Sequence, residues 1–214
     1  MAAPLFLGVG LLIGLIKDSI DKKKSNNVLK RDHLKAFLPI PLLLLMSLEG
    51  TSPYLSFSRN EVVSVTRSLT ASVADVEKRL SLTPNFKTPP SGILGIGFPI
   101  PLGATGEGLA LGDTRIVHFS EGEGRPPGDL KLKITERHDG FVRFTAEEDT
   151  SHIPHWLNWT ASEVSWIATS PTSVEVTWTI HFERKLDPAW YFSWPQRMVV
   201  EQAANYLIQT SAMP

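Results

Sequence analysis

Residues 174–184, VEVTWTIHFER, alternate strictly. Val174, Val176, Trp178, Ile180 and Phe182 fall on one side; Glu175, Thr177, Thr179, His181 and Glu183 fall on the other. A period of two belongs to an extended chain, so the segment predicts a strand with one apolar and one wet face. Further on the period changes. Val199, Val200, Ala203 and Leu207 form an apolar stripe at helical spacing, with Arg197, Glu201 and Asn205 turned away from it. A one-sided strand needs a cover, and a one-sided helix supplies one. The pair therefore constrains the chain to an α+β architecture, in which an antiparallel sheet carries a long terminal helix.

Other segments agree with that frame. NEVVSVTRSL, residues 60–69, predicts a strand. TASVADVEKRL, residues 70–80, predicts a short helix capped by Thr70 or Ser72, with Val73, Val76 and Leu80 on one face. Further strands are expected at 112–120, 129–137, 141–148 and 157–168, and the Asp139-Gly140 pair marks a tight hairpin. Residues 84–108 are dense in proline and glycine and read as a long loop, with ILGIGF as a short strand inside it. The helix that ends the chain opens on Trp190, Tyr191, Phe192 and Trp194. Asp187-Pro188 reads as a cap with proline in the first turn. Ser193-Trp194-Pro195-Gln196 fits a capping box with Ser193 as the N-cap.

The N-terminal region has a different character. Residues 2–16 and 34–48 are two apolar runs; the first carries no charge and the second only Lys35. Between them a linker carries Lys17, Lys22, Lys23, Lys24, Lys30 and Arg31 against Asp18, Asp21 and Asp32. A bilayer span takes about 20 apolar residues, so both runs are short; the second lengthens through Tyr54 to Phe57 if Glu49 sits at an interface. Apolar runs flanking a basic loop point to a membrane-associated helical hairpin over residues 1–57, attached through 2–16 and 34–57. The basic linker is then cytoplasmic, and the domain of residues 58–214 lies on the non-cytoplasmic side.

The order of elements resembles the helix-grip fold of the SRPBCC superfamily, which includes START-like and polyketide cyclase/dehydrase-like domains. The carriers are NEVVSVTRSLTASVADVEKRL, the hairpin KLKITERHDGFVRFTAEE and VEVTWTIHFERKLDPAWYFSWPQRMVVEQAANYL. The resemblance covers roughly residues 59–210 and implies a curved antiparallel sheet wrapped on the C-terminal helix, with an apolar cavity between them. It implies a hydrophobic small molecule or lipid as partner. Trp178, Trp190, Trp194, Phe98 and Phe144 are the expected apolar contacts, and His118 and Arg143 the expected polar ones. An enzyme of the cyclase/dehydratase kind, with His118 or a carboxylate as general base, is the alternative. A filled, ligand-free interaction module in a membrane assembly is another.

Composition narrows the chemistry. The net charge is −1, so no basic excess points to nucleic acid. The chain has no cysteine, which excludes disulfides, zinc thiolates and cysteine nucleophiles. His152 and His155 form an HxxH spacing, but a proline separates them in a loop, and a metal site needs three or four convergent ligands. No metal and no cofactor are expected. The glycine-rich GIGFPIPLGATGEG lacks the strand-to-helix setting of a dinucleotide site.

Overall fold

The computed structural model describes residues 48–49, 51–95, 98–121 and 126–213. The chain divides into two compact units, Met1–Leu48 and Glu49–Pro214. The apolar run at 2–16, the basic linker and all of the second run but Leu48 lie outside the described residues. No helix among the described residues is long and apolar enough to cross a membrane.

Seven strands form one antiparallel sheet: β1 (Asn60–Leu69), β2 (Pro101–Thr105), β3 (Thr114–Phe119), β4 (Gly128–His138), β5 (Phe141–Asp149), β6 (Leu157–Ser170) and β7 (Ser173–Arg184). Their order across the sheet is β1-β7-β6-β5-β4-β3-β2. The chain thus runs from one edge to the other between β1 and β2, then returns by hairpins until β7 pairs with β1. This sheet curls as a half-barrel against the long helix α2 (Ala189–Ser211), and a shorter helix, α1 (Val73–Ser81), follows β1. The architecture is the helix-grip fold.

The alternation in β7 has the expected outcome. Val174, Val176, Trp178, Ile180 and Phe182 are all buried, and so is Arg184 at the next inward position. On β4 the inward set is Leu130, Leu132 and Ile134. Burying each such side chain contributes about 1.5–3 kcal/mol. Between β4 and β5 the hairpin turns at Asp139-Gly140, where Gly140 takes φ 70. A Cβ there would sit 2.8 Å from the Trp166 carbonyl oxygen as well as in a left-handed conformation.

Helix α1 starts at Ser72, whose hydroxyl accepts from the Asp75 amide at 3.2 Å. Val76 and Leu80 face the core, whereas Val73, expected on that face, is exposed. Of the segment ILGIGF, Ile93 to Gly95 belong to a 3-10 turn, Gly92–Gly95, and residues 96–97 lie outside the described residues. The missed strand lies just beyond it. β2 sits at the sheet edge, begins on Pro101 and bulges between Pro101 and Gly103. Proline and glycine hide such a strand in sequence, yet an edge tolerates both.

Two expectations near the domain corner are corrected. Ser193 is not the N-cap of the last helix. The helix begins at Ala189, five residues before that box places it, with Pro188 as N-cap one residue past the cap read at Asp187, and Pro195 lies inside it. The reason is a distant acceptor: the Ala189 amide donates to Glu49 Oε2 at 2.8 Å, which satisfies the helix end upstream of the expected box. Pro195 then has no N–H to offer the carbonyl one turn back, a local cost borne by surrounding packing. The second concerns Glu49, across which the second apolar run is expected to lengthen. Glu49 is buried and paired with Arg184, and the residues after it form only a 3-10 turn, Pro53–Leu55, before β1.

Candidate functional site

A cavity of about 120 Å³ lies between the inner face of the sheet and α2. Its floor is built by inward positions of successive strands: Val117 and Phe119 on β3, Leu130 and Leu132 on β4, Phe144 on β5, Leu157, Trp159 and Ser162 on β6, and Trp178 on β7. Its roof is one side of α2, with Val199, Val200, Ala203, Tyr206 and Leu207. Here the helix has two uses for its apolar surface. Ala204 and Ile208 are buried in the core, Val199, Ala203 and Leu207 turn toward the cavity, and Val200 serves both. The proline-rich segment closes one wall with Pro84, Phe86, Pro90, Leu94, Phe98, Pro99 and Pro101. Phe98 stacks obliquely on Trp156, ring centroids 5.4 Å apart. The long loop read from sequence is therefore a wall of the cavity, held in part by the Tyr206 hydroxyl, which donates to the Thr88 carbonyl at 2.8 Å.

Few polar groups face this space. Trp178 Nε1 donates to Ser162 Oγ at 3.4 Å. Among the described lining residues the side chains that can ionise are Arg115 and Tyr206. Burial pushes the Tyr206 hydroxyl above its usual value. Arg115 is 5% exposed. Its guanidinium donates from Nη2 to the Leu80 carbonyl at 3.0 Å and lies over the Phe144 ring, 5.2 Å from the centroid. Burial lowers its pKa to about 10, with Glu107 and Asp113 pulling the other way, so it stays cationic at neutral pH.

Of the seven residues expected to contact a ligand, three line the cavity: Trp178, Phe98 and Phe144. The other four lie elsewhere. Trp190 and Trp194 are 47% and 70% exposed and stand on the outer side of α2. His118 and Arg143 are on the outer face of the sheet, because on β3 and β5 the inward parity belongs to their neighbours. His118 Nδ1 lies 2.8 Å from Asp129 Oδ1, and its Nε2 lies 3.4 Å from Thr105 Oγ1. Arg143 Nη1 donates to Glu163 Oε1 at 2.5 Å, and His181 Nε2 lies 3.1 Å from the same oxygen. His118, expected as a general base, does not line this cavity. His152 and His155 flank a 3-10 turn, their rings 4.7 Å apart.

The residues missed from sequence are Arg115, Trp156, Trp159 and Ser162. Arg115 was readable: in TRIVHF it shares parity with Val117 and Phe119, so an arginine stands in an apolar row. Trp159 was not, because β6 carries a register shift between Trp159 and Ala161 that breaks the period of two.

No family model matches the sequence, and no curated protein does. Solved structures with similar folds include a START superfamily protein from Mycobacterium smegmatis. It is 14% identical, with a TM-score of 0.46, and the match covers 70% of this chain and 96% of that one. An aromatase/cyclase from Streptomyces sp. R1128 is 11% identical, with a TM-score of 0.41 over 72% of this chain and 99% of that one. A truncated norcoclaurine synthase from Thalictrum flavum is 11% identical, with a TM-score of 0.42 over 70% of this chain and 92% of that one.

Proposed function

We propose that the protein binds an apolar small molecule or lipid in the cavity between its sheet and α2. The observation that carries this reading is the lining: aromatic and aliphatic side chains from five strands, one helix and the proline-rich wall surround a space that they leave unfilled. Protein interiors pack to crystal-like density, and an unfilled apolar space forfeits contact energy that a ligand restores. Binding would then rest on burial, with few polar contacts. Native mass spectrometry of the full chain, followed by solvent extraction of whatever dissociates, tests it. A bound apolar molecule is the expected result. A clean unliganded mass, with no uptake from a lipid extract, overturns the reading in favour of an interaction module.

The same protein is proposed to be held at a membrane through residues 2–16 and 34–48. Support comes from the corner where the chain enters the domain. Glu49 is tied to the Ala189 amide, and the Arg184 amide donates to the Arg59 carbonyl at 2.7 Å, so both ends of the segment 49–59 are pinned beside the start of α2. That corner displays Tyr54 (97% exposed), Leu55, Phe57, Trp190 and Trp194. Aromatics of this kind favour a bilayer interface. Tryptophan quenching by brominated phospholipids is expected in the wild type and reduced in Trp190→Phe/Trp194→Phe; unchanged fluorescence on reconstitution would remove the support.

A further inference from the structure

Three buried nitrogens on residues that line the cavity have hydrogens to donate and no acceptor among the described residues: Arg115 Nε, Trp156 Nε1 and Trp159 Nε1. The Arg115 guanidinium makes one hydrogen bond, to the Leu80 carbonyl, and lies over a ring face; Glu107 and Asp113 act on it only through space, with no direct ion pair among the described residues. Buried polar groups in folded proteins are nearly always satisfied, and an unpaired buried cation is costlier than an unpaired amide. The imbalance has one sign. The wall offers donors, one of them charged, and the aspartates and glutamates of the described domain lie outside the lining.

We infer that the cavity's ligand is an apolar molecule bearing an anionic carboxylate, whose oxygens accept from the Arg115 guanidinium. The inference rests on the reading of the cavity as a ligand site. It adds the chemical class of the ligand and its orientation, with the acid group at Arg115 and the apolar body along Phe98, Phe144 and Trp178. A guanidinium has donors left for two carboxylate oxygens, a geometry that an alcohol or amine cannot match. Volume sets the scale: an apolar cavity of about 150 Å³ holds benzene, so 120 Å³ suits a short-chain acid. The lowered pKa of Arg115 stays far above neutrality, so the cation is present throughout the range in which a carboxylic acid is ionised.

The test is isothermal titration of the full chain with three small probes of equal apolar body: butanoate, butan-1-ol and butan-1-amine. The acid is expected to bind at least tenfold more tightly than the alcohol, with the amine weakest. Preference for the acid should vanish in Arg115→Gln while binding of the alcohol remains. Lowering the pH through the acid's own pKa, at about 4.5, should erase the preference in the wild type, since the protonated acid is no longer an anion. Acid and alcohol binding equally would overturn this inference and leave the apolar site standing. Binding of none of the three would overturn both. The wild-type comparison does not depend on the variant's folding. As a second readout, the guanidinium N–H resonances of Arg115 should move with the acid and not with the alcohol; resonances unmoved by a bound acid would place its carboxylate elsewhere and reject the assignment.

Discussion

Glu49 and Arg184 stand 135 positions apart in sequence and are joined by an ion pair, Oε1 to Nη2, at 3.2 Å, with the arginine wholly buried. The other glutamate oxygen takes the Ala189 amide, and Arg184 Nη1 is shared by Asp187 Oδ1 at 2.6 Å and the Leu186 carbonyl at 2.5 Å. One carboxylate thus fixes the entry of the chain, the end of β7 and the first turn of α2. Removing one member of such a group leaves a buried charge underpaired. Glu49→Ala should therefore lower the unfolding free energy by about 3 kcal/mol, softened by Asp187, while Glu49→Gln should cost less. Chemical denaturation monitored by tryptophan fluorescence decides it; a loss below about 1 kcal/mol would show that Asp187 alone holds Arg184.

Trp166 and Trp178 are both buried on adjacent strands, yet only Trp178 borders the cavity. Trp166 lies under the Arg137 guanidinium, 5.1 Å from the ring. Trp166→Ala should cost about 3–5 kcal/mol, as for a filled core. Trp178→Ala should cost about 2 kcal/mol and enlarge the binding space, because part of its surface already faces a void. Equal losses in thermal or denaturant unfolding would mean that the wall at Trp178 is packed.

Asp149 ends β5 with Oδ2 buried and unpartnered, while Oδ1 accepts from the Ser151 amide at 2.9 Å and its hydroxyl at 2.6 Å. Burial raises its pKa above 3.8, against the pull of the Ser151 bonds. Between 3.8 and the raised value the folded state holds more protons than the unfolded one, so this group makes stability fall as the pH rises through that window. At neutral pH the charged form is the unfavourable one. Asp149→Asn keeps the Oδ1 acceptor and should be more stable than the wild type at pH 7, by about 1 kcal/mol. The gap should close as acid protonates the wild-type carboxyl. A variant less stable than wild type at pH 7 would contradict the assignment.

Phe98 and Trp194 were equal candidates for ligand contact in the sequence, and they lie in different settings. Phe98 forms cavity wall; Trp194 is 70% exposed. Phe98→Ala should weaken binding of an apolar probe about tenfold, equivalent to 1.4 kcal/mol of lost burial. Trp194→Ala should leave that affinity unchanged and shift stability by less than about 0.5 kcal/mol. Fluorescence titration of both variants with one probe separates them.

How legible the molecule was depends on which physical rule governed each part. Strands β1 and β3 to β7 announce themselves through alternation and through the Asp139-Gly140 turn, since sheet periodicity is local. The inward row Leu130, Leu132 and Ile134 follows from the same rule. The start of α2 is legible to within one residue at Asp187-Pro188, but the choice between that cap and the Ser193 box is not, because the deciding acceptor is Glu49, far away in sequence. Within the site, Phe144 and Trp178 follow from parity. Trp190 and Trp194 mislead because an aromatic at a helix entrance reads alike whether it faces a cavity or solvent. His118 and Arg115 mislead together: histidine attracts attention as a chemical group, while the arginine three residues before it sits on the inward row.

The pairing of β1 with β7 has a consequence in time as well as space. Asn60 finds its partner only at Glu183, and Glu49 finds Arg184 only one residue later. During synthesis the first strand must wait, unpaired, until nearly the whole domain has emerged. Contacts that close such long loops are slow to form. Folding of this domain is therefore a late event in the life of the nascent chain, and its earliest-made strand is the one most in need of protection from neighbouring chains.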